Sequence, residues 1–272
     1  MEFDRIYAEV DLGRIEENMK AMKEHLRPGT KMYGVVKTDA YGHGAVPVAR
    51  TIDRFVCGYA VATVDEGLKL RRHGIEKEIL CLGPVSAGRY QECLENDISL
   101  PMFEYRRAKE LSDAAVAEGK TAKIHIAVDT GMSRIGLFPD EGSVETVKEI
   151  AELPALRIAG MFTHFARADE ADKTNAGEQY RRFHAFCDAG KAAGVEVPVC
   201  HCSNSAGIVE LPDFNMDAVR AGITIYGMYP SDEVKQDIIS LKPAMALKSV
   251  LLPAPFEPTM VANSPSASVS DR

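Results

Sequence analysis

Short runs of Val, Ile, Ala and Leu alternate with longer amphipathic stretches along most of the chain. Arg5–Val10 alternates with period two, as a strand does. Asp11 is placed to cap the helix that follows, in which Leu12, Ile15, Met19, Met22 and Leu26 recur at spacings of three and four and so form one buried stripe. Pro28-Gly29 closes it. From there the apolar runs predict strands at Met32–Val36, Gly58–Ala62, Ile79–Leu82, Ile98–Met102, Ala122–Val128, Leu156–Phe162, Val197–His201 and Asp217–Arg220. Amphipathic stretches such as Glu104–Glu118, Val144–Leu153 and Gly177–Ala193 lie between them. Strands apolar on both faces and separated by helices make a parallel sheet. Eight such units predict an α/β fold, a (β/α)8 TIM-type barrel. The alternative is a doubly wound open sheet, which often carries a glycine-rich first turn; the chain has no GxGxxG.

The expected organisation is a barrel over residues 1–240, the start of a second, β-rich domain over 241–250, and an aberrant, disordered ending over 251–272. That ending, LLPAPFEPTMVANSPSASVSDR, has no usable period and is rich in proline and small polar residues.

A hydrophobic content of 46% over 272 residues is enough for a sizeable core. The net charge of −8 argues against nucleic-acid or anionic-membrane partners, which need basic surface. The charged N-terminus does not resemble a signal peptide, and there is no apolar run of membrane-spanning length, so a cytoplasmic location is expected. The six cysteines lack framework spacing and read as buried, reduced thiols. Cys200-His201-Cys202 suggests a metal site. However, strand alternation sends His201 to the opposite face and no second ligand pair is evident, so no metal is expected.

In a barrel the chemistry gathers at the C-terminal ends of the strands. By strand parity Lys31, Tyr33, Val35 and Lys37 share a face, which aims Lys37 into the barrel mouth. It reads either as a desolvated amine able to condense with an aldehyde or as a lysine snorkelling to solvent. Ser203-Asn204-Ser205 reads as a helix cap or as part of an anion site with Gly222, where a backbone can approach a ligand closely. Arg220 ends an apolar strand and would either pair with an acid or donate to a ligand ring nitrogen. His164 follows an apolar strand and is open to a structural or a functional reading; Asp129 and Arg134 flank a glycine turn and would pair.

With these residues in view, VVKTDAYGHG, VDTGMSRIG, THFARAD, NSAG and VRAGITIYG resemble, in order, the signature segments of bacterial alanine racemases, over about Tyr7 to Ser249. The resemblance implies interconversion of L- and D-alanine, the supply of D-alanine for peptidoglycan, with pyridoxal 5′-phosphate as cofactor and a homodimeric assembly. It assigns Lys37 as the Schiff-base lysine and acid/base on one face of the substrate. Tyr41, Asn204, Ser205, Gly222 and Ile223 would hold the phosphate, Arg134 would donate to the phenolic oxygen, and Arg220 would face the pyridine nitrogen with His164 orienting it.

Two departures stand out. Relatives often carry a carboxylated lysine where this chain has Ala127, so Arg134 needs another partner, a water or a bound anion. The second acid/base of the family is a tyrosine from the partner's C-terminal β-domain, and the likeness stops near Val250, so the expectation is a truncated and impaired racemase. Two alternatives share the barrel: a stand-alone pyridoxal-phosphate carrier without racemase activity, and a basic-amino-acid decarboxylase. The lysine segment and VRAGITIYG look like racemase rather than either.

Overall fold

A computed structural model describes residues 6–249 of the chain; the proline-rich ending expected to be disordered lies outside the described residues. Eight parallel strands close into a barrel. In chain order the elements begin with β1 (Ile6–Val10), α1 (Leu12–His25), β2 (Lys31–Val35), the single turn α2 (Lys37–Tyr41), α3 (Ala45–Ile52), β3 (Gly58–Val61), α4 (Val64–Arg72) and β4 (Glu78–Cys81). They continue with α5 (Tyr90–Glu95), β5 (Ile98–Met102), α6 (Tyr105–Ala117), β6 (Ala122–Ala127), α7 (Glu141–Ala151) and β7 (Leu156–Phe162). The last are α8 (Thr174–Ala192), β8 (Cys200–His201), α9 (Ser205–Glu210), β9 (Ala218–Ala221) and β10 (Met245–Ser249). The barrel runs from β2 to β9 and is closed by the pairing of β9 with β2, where Tyr33 lies opposite Arg220.

Residues Val10–Met245 form the compact barrel unit. Among the described residues, a second, small unit joins Ile6–Glu9 to Ala246–Ser249, and β1 and β10 make a two-stranded sheet.

The local signals act as expected. Asp11 accepts a hydrogen bond from the Arg14 backbone N–H at 3.1 Å. Ile15, Met19, Met22 and Leu26 of the predicted stripe are buried, while Leu12 stays at the exposed margin. One strand is much shorter than predicted: β8 is only Cys200–His201, because residues 197–199 make too few ladder bonds to count as strand. The strand before the lysine also stops earlier, at Val35, where the chain turns. All six cysteines are free, yet Cys57 is exposed, which corrects its reading as a buried thiol. Among the described residues no helix is long and apolar enough to cross a membrane.

Candidate active site

The C-terminal mouth of the barrel opens into a cavity of about 520 Å³. Lys37, Tyr41, Arg134, His164, Asn204, Ser205, Arg220, Gly222 and Ile223, all singled out in the sequence, line it together. They come from distant parts of the chain, and the barrel's parallel strands deliver them to one end.

Lys37 does not simply continue its strand. Thr38, Asp39, Ala40 and Tyr41 follow it with φ of 51°, 52°, 57° and 53°, a left-handed turn built from residues other than glycine. Each such residue costs roughly 1–2 kcal/mol against ordinary backbone. Several contacts hold the turn. Glu66 Oε1 accepts from the Thr38 N–H at 2.7 Å, and Asp39 Oδ1 accepts from the Ala45 N–H at 2.9 Å and from Lys69 Nζ at 2.7 Å. The Ala45 and Lys69 contacts keep the Asp39 carboxyl below its ordinary pKa. Lys37 is left half-buried, its amine 5.8 Å from the centre of the Tyr41 ring.

Arg220 is only 3% exposed and, against one of its sequence readings, touches no carboxylate. Its Nη1 donates to His201 Nδ1 at 2.8 Å and to the His201 carbonyl at 3.1 Å. Its Nη2 donates to the Thr163 carbonyl at 2.8 Å, the Cys202 carbonyl at 3.1 Å and His164 Nδ1 at 3.2 Å. The Nη hydrogens are thus spent within the protein, and the Nε–H is the donor left for a ligand.

The chain of bonds continues inward with one consistent proton arrangement. A guanidinium only donates, so His201 accepts at Nδ1 and carries its hydrogen on Nε2. That Nε2 is 3.1 Å from His125 Nδ1, which must accept, and His125 Nε2 donates to Glu78 Oε1 at 3.2 Å. Tyr33 and Ser99 donate to the same carboxylate at 2.7 and 2.8 Å. Burial pushes Glu78 up, but the bonds from His125, Tyr33 and Ser99 outweigh it and hold it below the usual carboxylate range. Burial, then the charges of Arg220, Arg134 and Lys37, lower His164 to about 3. Burial and then Arg220 push His201 well down. Both rings are therefore neutral acceptors for Arg220 at physiological pH.

Just after β8, Asn204 caps α9, accepting from the Gly207 N–H at 3.1 Å. Ser205 Oγ accepts from the Gly222 N–H at 3.0 Å and from the Thr224 hydroxyl at 3.0 Å. A Cβ on Gly222 would stand 3.4 Å from Ser205 Oγ and 3.7 Å from the Tyr41 hydroxyl, so glycine keeps that corner open. Arg134 is exposed and has no hydrogen-bond or carboxylate partner among the described residues. The expected Asp129–Arg134 pair is corrected: Asp129 Oδ1 instead takes the N–H groups of Gly131 at 3.0 Å and Ser133 at 2.9 Å, closing the turn by itself. Ala127, the residue expected to depart from the relatives, is buried in β6.

Sequence reasoning missed Glu78, His125 and Glu66, and saw in His201 only a rejected metal ligand. The first two carried a signal: each is an ionisable residue within or beside an apolar strand, and such a residue needs a partner inside the barrel.

Residues 10–230 match the family model described as alanine racemase, N-terminal domain. The alanine racemase of Clostridium novyi is 45% identical over 245 residues, spanning 90% of this chain and 63% of that protein. That of Clostridium tetani is 39% identical over 248 residues, spanning 91% of this chain and 64% of the relative. The solved alanine racemase of Clostridium difficile 630 in complex with cycloserine superposes with a TM-score of 0.90 at 39% identity, covering 92% of this chain and 69% of that one. The Bacillus anthracis enzyme with bound L-Ala-P gives 0.83 at 36%, covering 91% and 64%. The chain thus spans somewhat less than two thirds of the length of these curated relatives. A closed eight-stranded parallel barrel, a family match across residues 10–230 and this level of identity agree: the chain belongs to the alanine racemase N-terminal domain family.

Proposed function

We propose that this chain supplies the cofactor-binding barrel of an alanine racemase and interconverts L- and D-alanine on pyridoxal 5′-phosphate. The observation that carries the reading is the meeting of the Lys37 amine and the sealed Arg220 guanidinium in one cavity.

The residues fit the group. The cavity of about 520 Å³ lies within the ordinary range for a small-molecule site. It offers an amine for an aldehyde, the Nε–H of Arg220 for a ring nitrogen, and a corner kept open by Gly222 between Ser205 and Tyr41 for a phosphate. When bound, pyridoxal phosphate withdraws electrons from the substrate α-carbon and so acidifies its C–H. Lys37 would hold and move a proton on one face of that carbon. Arg220 donates a hydrogen bond from Nε but keeps its proton, since burial lowers it only to about 10. A ring nitrogen facing Arg220 would thus receive a hydrogen bond rather than a proton. His164, neutral, fixes the orientation of Arg220 through Nη2. Tyr41, Asn204, Ser205, Gly222 and Ile223 would hold the phosphate, and Arg134 would donate to the phenolic oxygen. The other face of the α-carbon needs a second proton carrier from outside the described residues, as in the expected homodimer.

The test is covalent capture. An amine and an aldehyde condense with loss of water, and borohydride then delivers hydride to the carbon, fixing the link. The chain incubated with pyridoxal phosphate, reduced and mapped by mass spectrometry should carry the label on Lys37, and Lys37→Ala should lose it. A label spread over surface lysines and unchanged in Lys37→Ala would overturn the reading.

A further inference from the structure

Glu66 has two jobs that usually fall to separate residues. It completes the cap of α4: the Thr63 hydroxyl accepts from the Glu66 N–H at 3.4 Å, and Glu66 Oε2 accepts from the N–H groups of Ala62 at 2.7 Å and Thr63 at 3.2 Å. Its other oxygen reaches away from α4 to the Thr38 N–H at 2.7 Å, one residue beyond Lys37. That bond lands on the first residue of the left-handed turn. Within the turn, Ala40 N–H bonds back to the Val36 carbonyl at 2.9 Å and Gly42 N–H to the Thr38 carbonyl at 3.1 Å, so the Thr38 N–H has no acceptor there. Without Glu66 that donor would turn to water and the strained backbone would lose the tie at its entrance.

We propose that Glu66 is a positioning residue for Lys37, its carboxylate bridging the end of β3 and the Lys37–Thr38 peptide so that the strained turn presents the amine to the cavity. The inference rests on the Lys37 chemistry proposed above and adds a residue that does not line the cavity itself. The bridge needs a carboxylate. Both of its ends are N–H donors, so both oxygens must accept. An amide has a single acceptor oxygen, and its NH2 would face one set of donors. Glu66→Gln therefore keeps size and helix propensity while opening one side of the bridge.

A control separates this from simple helix stability. Thr63→Ala removes the hydroxyl half of the cap but leaves every Glu66 oxygen contact in place, because those partners are backbone groups. Parent, Glu66→Gln and Thr63→Ala are each mixed with pyridoxal phosphate across a pH series, and the rate of borohydride-trapped label at Lys37 is followed by mass spectrometry. The expected result is a rate about tenfold lower in Glu66→Gln across the series, the usual scale for losing a hydrogen bond to a charged acceptor, with Thr63→Ala within about twofold of the parent. Equal rates in parent and Glu66→Gln, or an equal fall in Thr63→Ala, would overturn the proposal. No Lys37 label in the parent would instead overturn the functional reading on which it rests. Should Glu66→Gln prove unfolded by circular dichroism, Glu66→Asp, which keeps two acceptor oxygens one methylene shorter, takes its place with the same expected fall.

Discussion

A guanidinium sealed from water without an acid in contact must be satisfied by dipoles, and Arg220 is. Carbonyls of Thr163, His201 and Cys202 and the neutral rings of His164 and His201 take its Nη hydrogens in a planar fork. Lysine cannot reproduce that geometry, because an ammonium offers three hydrogens at a single point. Arg220→Lys should leave acceptors at the ends of β7 and β8 without donors and cost about 1–3 kcal/mol for each one left buried. Urea denaturation of parent and variant measures this, and a midpoint unchanged within error would show that the fork contributes nothing to stability.

Helix α1 shows how an element outside the strand–helix repeat still shapes the site. Asn18 donates from Nδ2 to the Ile225 carbonyl at 3.1 Å and the Lys242 carbonyl at 2.9 Å, and accepts from the Lys242 N–H at 2.7 Å. It thereby fastens the short 3-10 turn Ile223–Tyr226, which begins with one of the cavity's lining residues. The helix starts at Asp11, whose side chain caps it and whose N–H bonds the Ala244 carbonyl at 2.8 Å. Asp11→Ala should keep the backbone bond and lose the cap, costing about 1 kcal/mol. A lower melting temperature with normal Lys37 labelling is the expected pair of readouts, since Lys37 is held from α4 rather than α1.

Across the whole molecule, the barrel interior is a line of polar groups running from Glu78 through His125 and His201 to Arg220. Two glycines make room for it. A Cβ on Gly160 would lie 2.6 Å from the His125 ring, and one on Gly58 would lie 2.9 Å from the Tyr33 ring. The line places a half-buried carboxylate at one end and a buried cation at the other, which never touch. Because the folded pKa of Glu78 is depressed, the stability it contributes is present above the unfolded value near 4.5 and is lost as the pH falls toward about 2. Glu78→Gln should therefore be less stable than the parent at neutral pH, by about 1–3 kcal/mol, and the gap should close over that acid range. Denaturation curves at neutral and acid pH decide it; a gap independent of pH would remove the carboxylate charge as its source.

How much of this could be read from the chain follows from the range of each interaction. Period-two and period-3.6 patterns are local, so the repeat of strands and helices, the cap at Asp11 and the clustering of Lys37, His164, Asn204 and Arg220 at strand ends were legible. The signature segments added the family. Strand parity sent Lys37 toward the mouth, but the left-handed turn that presents it depends on Glu66, 28 positions away, and no pattern in the segment itself shows that. Asp129 and Arg134 looked like a pair from proximity in sequence, whereas backbone donors nearer than the guanidinium claimed the carboxylate. The sequence determined where strands and helices fall and which chemical groups stand at their ends. Only closure of the barrel decided which of those groups meet, because hydrogen bonds such as His125 to His201 span 76 residues and exist only once β6 and β8 flank β7 in a ring.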